Sequence, residues 1–206
     1  MGFQGAPNGF FISQANADAV AAAGTGEFDA MSAIYGVQIG GNVDMAPLVL
    51  GAVADFSAFH IEGDLLTSTV FPTIPGNPFT VYTEAKADWL ATFRGRVGIT
   101  AGDALLFATG GAAVSQLEVT STFTEPNFPA THGPGTESGI AIGGAAGIGA
   151  EYAISEQLSI GAEYVYVNIP GVTASYQGRQ NQRTDDIDTT FGFSAHTVRA
   201  TLNFHP

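Results

Sequence analysis

Ser194 and His196 are the candidate nucleophile and base of this chain, the combination that acyl-transfer chemistry requires. Both fall where a loop meets a strand, and no third member orients the base, so the pair reads as surface residues. His60, His132 and His205 are scattered over a strand end, a loop and the terminus, without metal-ligand spacing. Gly110-Gly111 and Gly143-Gly144 lack the Lys or helix that follows a phosphate-binding loop and read as strand glycines. No catalytic group, metal site or cofactor is expected. What remains is a set of charges on strand segments, Arg94, Arg96 and Arg199 with Asp55, Glu151 and Glu163.

The elements that must position these charges are bounded first by composition. Of 206 residues only 12% are charged, against 45% hydrophobic and 27 glycines, too little charge for the exterior of a water-soluble barrel. Apolar stretches are broken by Gly, Asp, Arg or Pro before reaching the roughly 20 residues of a spanning helix, so any membrane crossing must be made by a closed barrel. With six basic residues and a net charge of −13, nucleic acid is excluded as a partner. The absence of cysteine removes disulfides and thiolate zinc sites and is compatible with an oxidising periplasm. The first residues, MGFQGAPNGFFISQ, have neither a basic region nor a continuous apolar run, so a signal peptide is expected to be absent from this chain.

Period-2 alternation recurs in segments of about ten residues, the length of a tilted membrane strand. The expected strands are 9–19, 33–43, 47–61, 86–100, 104–119, 139–153, 158–168 and 195–205. Between them, long segments at 20–32, 62–85, 120–138 and 169–194 alternate with short ones at Asp44–Ala46, Ala101–Asp103 and Ile154–Gln157. Prolines at 72, 75 and 78, and more between Thr124 and Gly135, mark two of the long segments as loops, and Arg179, Arg183, Asp185, Asp186 and Asp188 make the last one polar. Short periplasmic turns, long external loops and an even strand number predict an all-β, up-and-down transmembrane antiparallel barrel of eight strands, a single domain over 1–206 with both termini periplasmic.

Splitting each strand into its two faces separates apolar residues from charge. Trp89, Ala91, Phe93, Val97 and Ile99 oppose Thr92, Arg94 and Arg96; Val198, Ala200, Leu202 and Phe204 oppose Thr197, Arg199 and Thr201; Leu48, Leu50 and Phe56 oppose Asp55 and Ser57. The apolar face is therefore expected to meet lipid. Inside, three arginines are expected to pair with three carboxylates, Asp55, Glu151 and Glu163, as a structural network rather than a catalytic cluster. Glycines 36, 40, 51, 98, 147, 149 and 161 leave room for these side chains. Trp89, Tyr35, Phe56, Tyr152, Tyr164, Tyr166 and Phe204 are expected to form an interfacial aromatic girdle.

The runs Trp89 to Gly98 (WLATFRGRVG), Leu105 to Ala113 (LLFATGGAA), Gly51 to Phe56 (GAVADF), Gly149 to Tyr152, Ala162 to Tyr164 and Val198 to Phe204 resemble the porin-like family of eight-stranded immunogenic outer-membrane proteins. The resemblance covers the chain from about residue 33 onward. It implies a Gram-negative outer-membrane protein with a structural or surface-contact role, in contact with outer-membrane lipid, inserted by the barrel-assembly machinery, monomeric, and touching a host or environmental ligand at its loops. Some relatives are described as porins and some as haemin binders; a lipid-modifying barrel enzyme using His196 is a further alternative. Two departures stand out: Val53 where the family usually has an inward acid, and Pro206 in place of a final aromatic, unless Phe204 serves.

Overall fold

In the computed structural model the described residues are 1–7, 13–126, 135–180 and 183–205, with the side chains of Val172 and of 174–187 outside the description. The chain forms β1 (Gly2–Pro7), α1 (Gln14–Ala23), β2 (Gly26–Glu27), β3 (Tyr35–Met45), β4 (Leu48–Val70), β5 (Pro78–Ala101), β6 (Ala104–Thr124), β7 (Gly135–Ser155), β8 (Leu158–Gln180) and β9 (Arg183–Phe204). All nine strands lie in one antiparallel sheet, ordered β2-β1-β9-β8-β7-β6-β5-β4-β3. From β3 to β9 each strand pairs with its sequence neighbour, the meander that short turns dictate.

The sheet curls back on itself. β9 and β4 are separated by four intervening strands in the sheet order, yet Arg199 Nη1 on β9 donates to Asp55 Oδ1 on β4 at 2.9 Å. Gln38 Nε2 on β3 donates to Asn203 Oδ1 on β9 at 2.6 Å. No backbone ladder joins β3 to β9 among the described residues, so the strand count is nine and the wall has a seam, where the sequence predicts eight strands and closure.

Three expectations are corrected. The predicted first strand, 9–19, is not one: β1 lies upstream, 8–12 fall outside the described residues, and 14–23 are helical. Ser13 caps the helix, accepting from Asn16 N at 3.3 Å, and the Ala-rich run that follows has strong helix propensity. The long connections are also shorter than the sequence predicts, because β4, β5, β8 and β9 run far into 62–85 and 169–194. Alternation persists there, but its outward face turns from apolar to polar, as in Glu62, Asp64 and Ser68 of β4, so a reading keyed to apolar alternation ends the strand too soon. Finally, Gly2 pairs with Gly192, partway up the wall, so the first residues do not sit beside Phe204 at the short-turn end.

The interior is layered. Toward the short turns lies the charged layer; above it Phe59, Leu90, Leu117, Val165, Val167, Ile169, Phe191 and Phe193 form an apolar core. At the loop end Val20 and Ala23 of α1 pack on Phe71, Phe79, Val81 and Phe123, and Asn16 Oδ1 accepts from Thr73 Oγ1 at 2.9 Å, fastening the helix to the β4–β5 loop. The expectation of a polar interior thus describes only the lower layer.

Candidate functional site

The charged layer is built by register. Asp55 faces Thr92 across β4–β5, Arg94 faces Gly111 across β5–β6, and Glu163 faces Arg199 across β8–β9. A Cβ on Gly111 would lie 2.0 Å from Phe93 O, so only glycine fits beside the Arg94 backbone. Arg94 is fully buried, as are Asp55 and Glu163 apart from a few per cent of their side chains. Its Nε donates to Thr92 Oγ1 at 2.9 Å, Nη1 to Thr109 Oγ1 at 2.9 Å and to Glu163, and Nη2 to Asp55 Oδ2 at 3.0 Å and Glu163 Oε2 at 3.2 Å. All five N–H donors therefore have acceptors, the condition on which a buried guanidinium is tolerable. Thr92 and Thr109 relay the network by donating in turn to Asp55 and Glu163.

Arg96 sits nearer the short turns, its Nη1 donating to Glu151 Oε2 at 3.1 Å and its guanidinium lying 4.1 Å from the centre of the Phe107 ring. Glu151 also accepts from Ser159, and His205 Nε2 approaches it at 3.3 Å. The structure thus brings all six predicted charges into two neighbouring groups, Asp55–Arg94–Glu163–Arg199 and Arg96–Glu151. Thr92 and Ser159, which alternation places on the charged face, join them as hydrogen-bond partners, and so do Thr109 and His205, which lie in phase with the charges but are not among the predicted residues.

Outside, the pattern inverts. Phe93, Val97, Ile99, Leu106, Ile142, Ile148, Ile160, Val198 and Leu202 all point outward and are about half exposed or more. On β4 the band runs from Leu48 to Phe56, which at about 3.3 Å per residue and a tilt near 40° covers about 20 Å along the membrane normal, most of the roughly 25 Å of a membrane barrel's apolar zone. Tyr152 and Phe204 lie toward its short-turn edge and Tyr35, Phe56 and Trp89 toward the other, with Phe56 and Trp89 stacked at 5.7 Å. Tyr164 and Tyr166 face outward on β8 against His196, whose Nδ1 is 2.5 Å from Tyr164 Oη. His196 therefore has a phenol, and no carboxylate, as its hydrogen-bond partner among the described residues. His132 lies outside the described residues, which hold no group of three His, Cys, Asp or Glu arranged for a metal ion.

Above the band runs a polar belt, His60, Glu62, Glu84, Lys86 and Asp88 on β4 and β5. His60 Nδ1 lies 2.7 Å from Asp88 Oδ1 and Nε2 3.5 Å from Glu62 Oε2, and the Asp88 hydrogen bond, opposed by slight desolvation, raises the imidazole above its ordinary value. A histidine raised by folding keeps its proton to higher pH, so its pairing is present below the unfolded pKa and fades as pH rises through the folded one. Monitored by NMR, the His60 ring is expected to titrate above 6.5 and to return toward it in Asp88→Asn. Equal midpoints in the two proteins would refute the pairing.

An antiparallel sheet curled around a charged and apolar interior, wrapped outside by an apolar band, defines an outer-membrane β-barrel protein. The pattern of the outer membrane protein β-barrel domain matches residues 6–204, and the chain belongs to that family of Gram-negative outer-membrane proteins. It is 31% identical over 179 residues to the 31 kDa outer-membrane immunogenic protein of Brucella melitensis biotype 1, and equally to that of Brucella suis biovar 1. The match spans 83% of this chain and 65% of each relative's length.

Proposed function

We propose that this protein is an eight-position barrel of the outer membrane whose work is structural and surface contact: a filled wall crossing the bilayer and carrying loops and polar upper strands outside. The observation that carries this reading is the inversion of the two faces, with Arg94 wholly buried while Val198 and Ile148 are 78% and 64% exposed. In water that arrangement would leave the apolar band without a partner; in lipid it is satisfied. The seven long strands and the slot held by β1 make up the eight positions.

The short turns and Phe204 then face the periplasm, and the wall above the belt, with the loops after β4, β6 and β8, faces outward to host or environmental ligands. Tyr35, Phe56, Trp89, Tyr152 and Phe204 serve as interfacial anchors against outer-membrane lipid, whereas Tyr164 and Tyr166, which pair with Ile148 and Ala146, lie within the apolar band and correct the sequence expectation for those two; the barrel-assembly machinery is the partner during insertion. The six-charge layer is a structural filling that sets the wall's packing. Its layers, with α1 over the loop end, support a scaffold over a porin.

Refolded in detergent, the protein is expected to migrate differently on gels before and after boiling, and to give no conductance steps above background in planar bilayers. Stable, well-resolved steps would transfer the assignment to a small-solute porin. Absence of heat-modifiable migration would remove the barrel reading itself.

A further inference from the structure

Two β-bulges meet on the outer wall at the upper edge of the apolar band. The β4–β5 register shifts between Ala58 and Ile61, and the β5–β6 register between Lys86 and Leu90. As a result Asp88 and Trp89, neighbours in sequence, both project outward between Ala87 and Leu90, which are buried. Ser115 Oγ donates to Trp89 O at 2.7 Å and fastens the bulge. The displaced pair opens a cavity of about 130 Å³ lined by Lys86, Asp88, Trp89, Gln116 and Glu118. Phe56 stacks on the indole from β4, while Gln116 and Glu118 flank the cavity on β6.

The side chains of Gln116 and Glu118 make no hydrogen bond or ion pair among the described residues, and Asp88 engages His60 through Oδ1, leaving Oδ2 as a second acceptor. Around the cavity the outward acids Glu62, Glu84, Asp88 and Glu118 outnumber Lys86 and His60, so the local field attracts a cation and repels a polyanion. An indole beside two carboxylates suits an organic ammonium. Below the cavity, β-carbons on Gly95, Gly110 and Gly144 would meet nothing closer than 3.8 Å. Val114, Ala112 and Gly110 therefore floor a shallow furrow along β6, with Phe93 on one side and Ile142 and Ile148 on the other. From Gln116 to Gly110 β6 covers about 20 Å, or about 15 Å along the membrane normal at a tilt near 40°, half of a roughly 30 Å hydrocarbon core.

We propose that this cavity binds a lipid whose headgroup carries an ammonium, with the ammonium between Trp89, Asp88 and Glu118 and one acyl chain in the furrow along β6. The inference rests on the barrel reading above, which puts the cavity at headgroup level. Lys86, held by Glu84 and Glu62, presents its remaining N–H to the phosphate beside such an ammonium. A purely anionic headgroup lacks the cation that the indole and the free carboxylates select, and a free amine lacks the chain that the furrow takes.

Trp89 is the only tryptophan of the chain, so tryptophan fluorescence reports on this cavity. The detergent-refolded protein is titrated with phosphatidylethanolamine and, separately, with phosphatidylglycerol of the same chains. A saturable change in emission is expected at about fivefold lower lipid fraction with phosphatidylethanolamine, the scale of one exposed cation–π contact and two exposed ion pairs. Asp88→Asn with Glu118→Gln is expected to abolish that preference, and Gly110→Leu, which fills the furrow, to weaken both lipids. The proposal is overturned if the two lipids saturate alike or if the double variant keeps the preference. It is also overturned if phosphoethanolamine without chains saturates at the same concentration, which marks a free-amine site, or if magnesium chloride alone reproduces the change, which marks a metal site. Heat-modifiable migration separates the two readings. Its loss in the unsubstituted protein sinks the barrel; its retention while the two lipids act alike sinks only the lipid site.

Discussion

Arg94→Met is expected to destabilise the folded protein by about 3–5 kcal/mol, read as a fall in the urea midpoint of the detergent-refolded protein. The substitution keeps much of the side chain's volume but removes the guanidinium that bridges Asp55 and Glu163 through Nη1 and Nη2 in a fully buried setting. Asp55 retains Arg199, while Glu163 keeps only neutral donors such as Thr109. The loss therefore comes from an uncompensated carboxylate more than from the missing attraction. Adding Glu163→Gln to Arg94→Met should recover more than half of the loss, because the amide carries no charge to leave unpaired. Arg96→Met, whose Glu151 keeps Ser159 and the neighbouring His205, should cost clearly less. A full urea midpoint in Arg94→Met would remove the charged layer from the account of stability.

Ile148→Arg is expected to destabilise the refolded protein in lipid by about 2–4 kcal/mol, the depth-dependent figure for a charge near the bilayer midplane. Ile148 lies midway along the outward face of β7, between Ile142 and Ile154, and is 64% exposed to the surroundings. The same change at an exposed site in water would be nearly neutral, since surface substitutions usually fall within about 0.5 kcal/mol. Ser138→Arg, on the same face of β7 but beyond the apolar band, supplies the control and should change little. Equal effects at the two positions would mean that the band does not sit in lipid.

These two substitutions probe opposite faces of one wall, and the division between those faces was legible without coordinates. Alternation assigned Asp55, Arg94, Glu151 and Glu163 to one side and Phe93, Val97 and Leu202 to the other, and the exposures follow it. Strand ends were less legible. Beyond Phe56 the outward residues of β4 become His60, Glu62 and Asp64, and nothing local distinguishes a strand leaving the membrane from a polar loop. The amino-terminal part was misread for a different reason. Ala-rich Gln14–Ala23 follows its helix propensity once Ser13 caps it and Val20 finds the aromatic cluster at the loop end.

By itself, the sequence determined the period of the strands, the sign of each face and the scarcity of charge, because these depend only on neighbouring residues and on the side-chain repeat of two. Tertiary structure decided which charges meet: Arg94 reaches Glu163 three strands away in the sheet order, and Arg199 reaches Asp55 across the seam side of the curled wall. It also decided that the interior is apolar above the ions, that a helix covers the loop end, and that β9 and β3 are left with facing edges. Those outcomes depend on curvature and register summed over the whole sheet, which no local window contains.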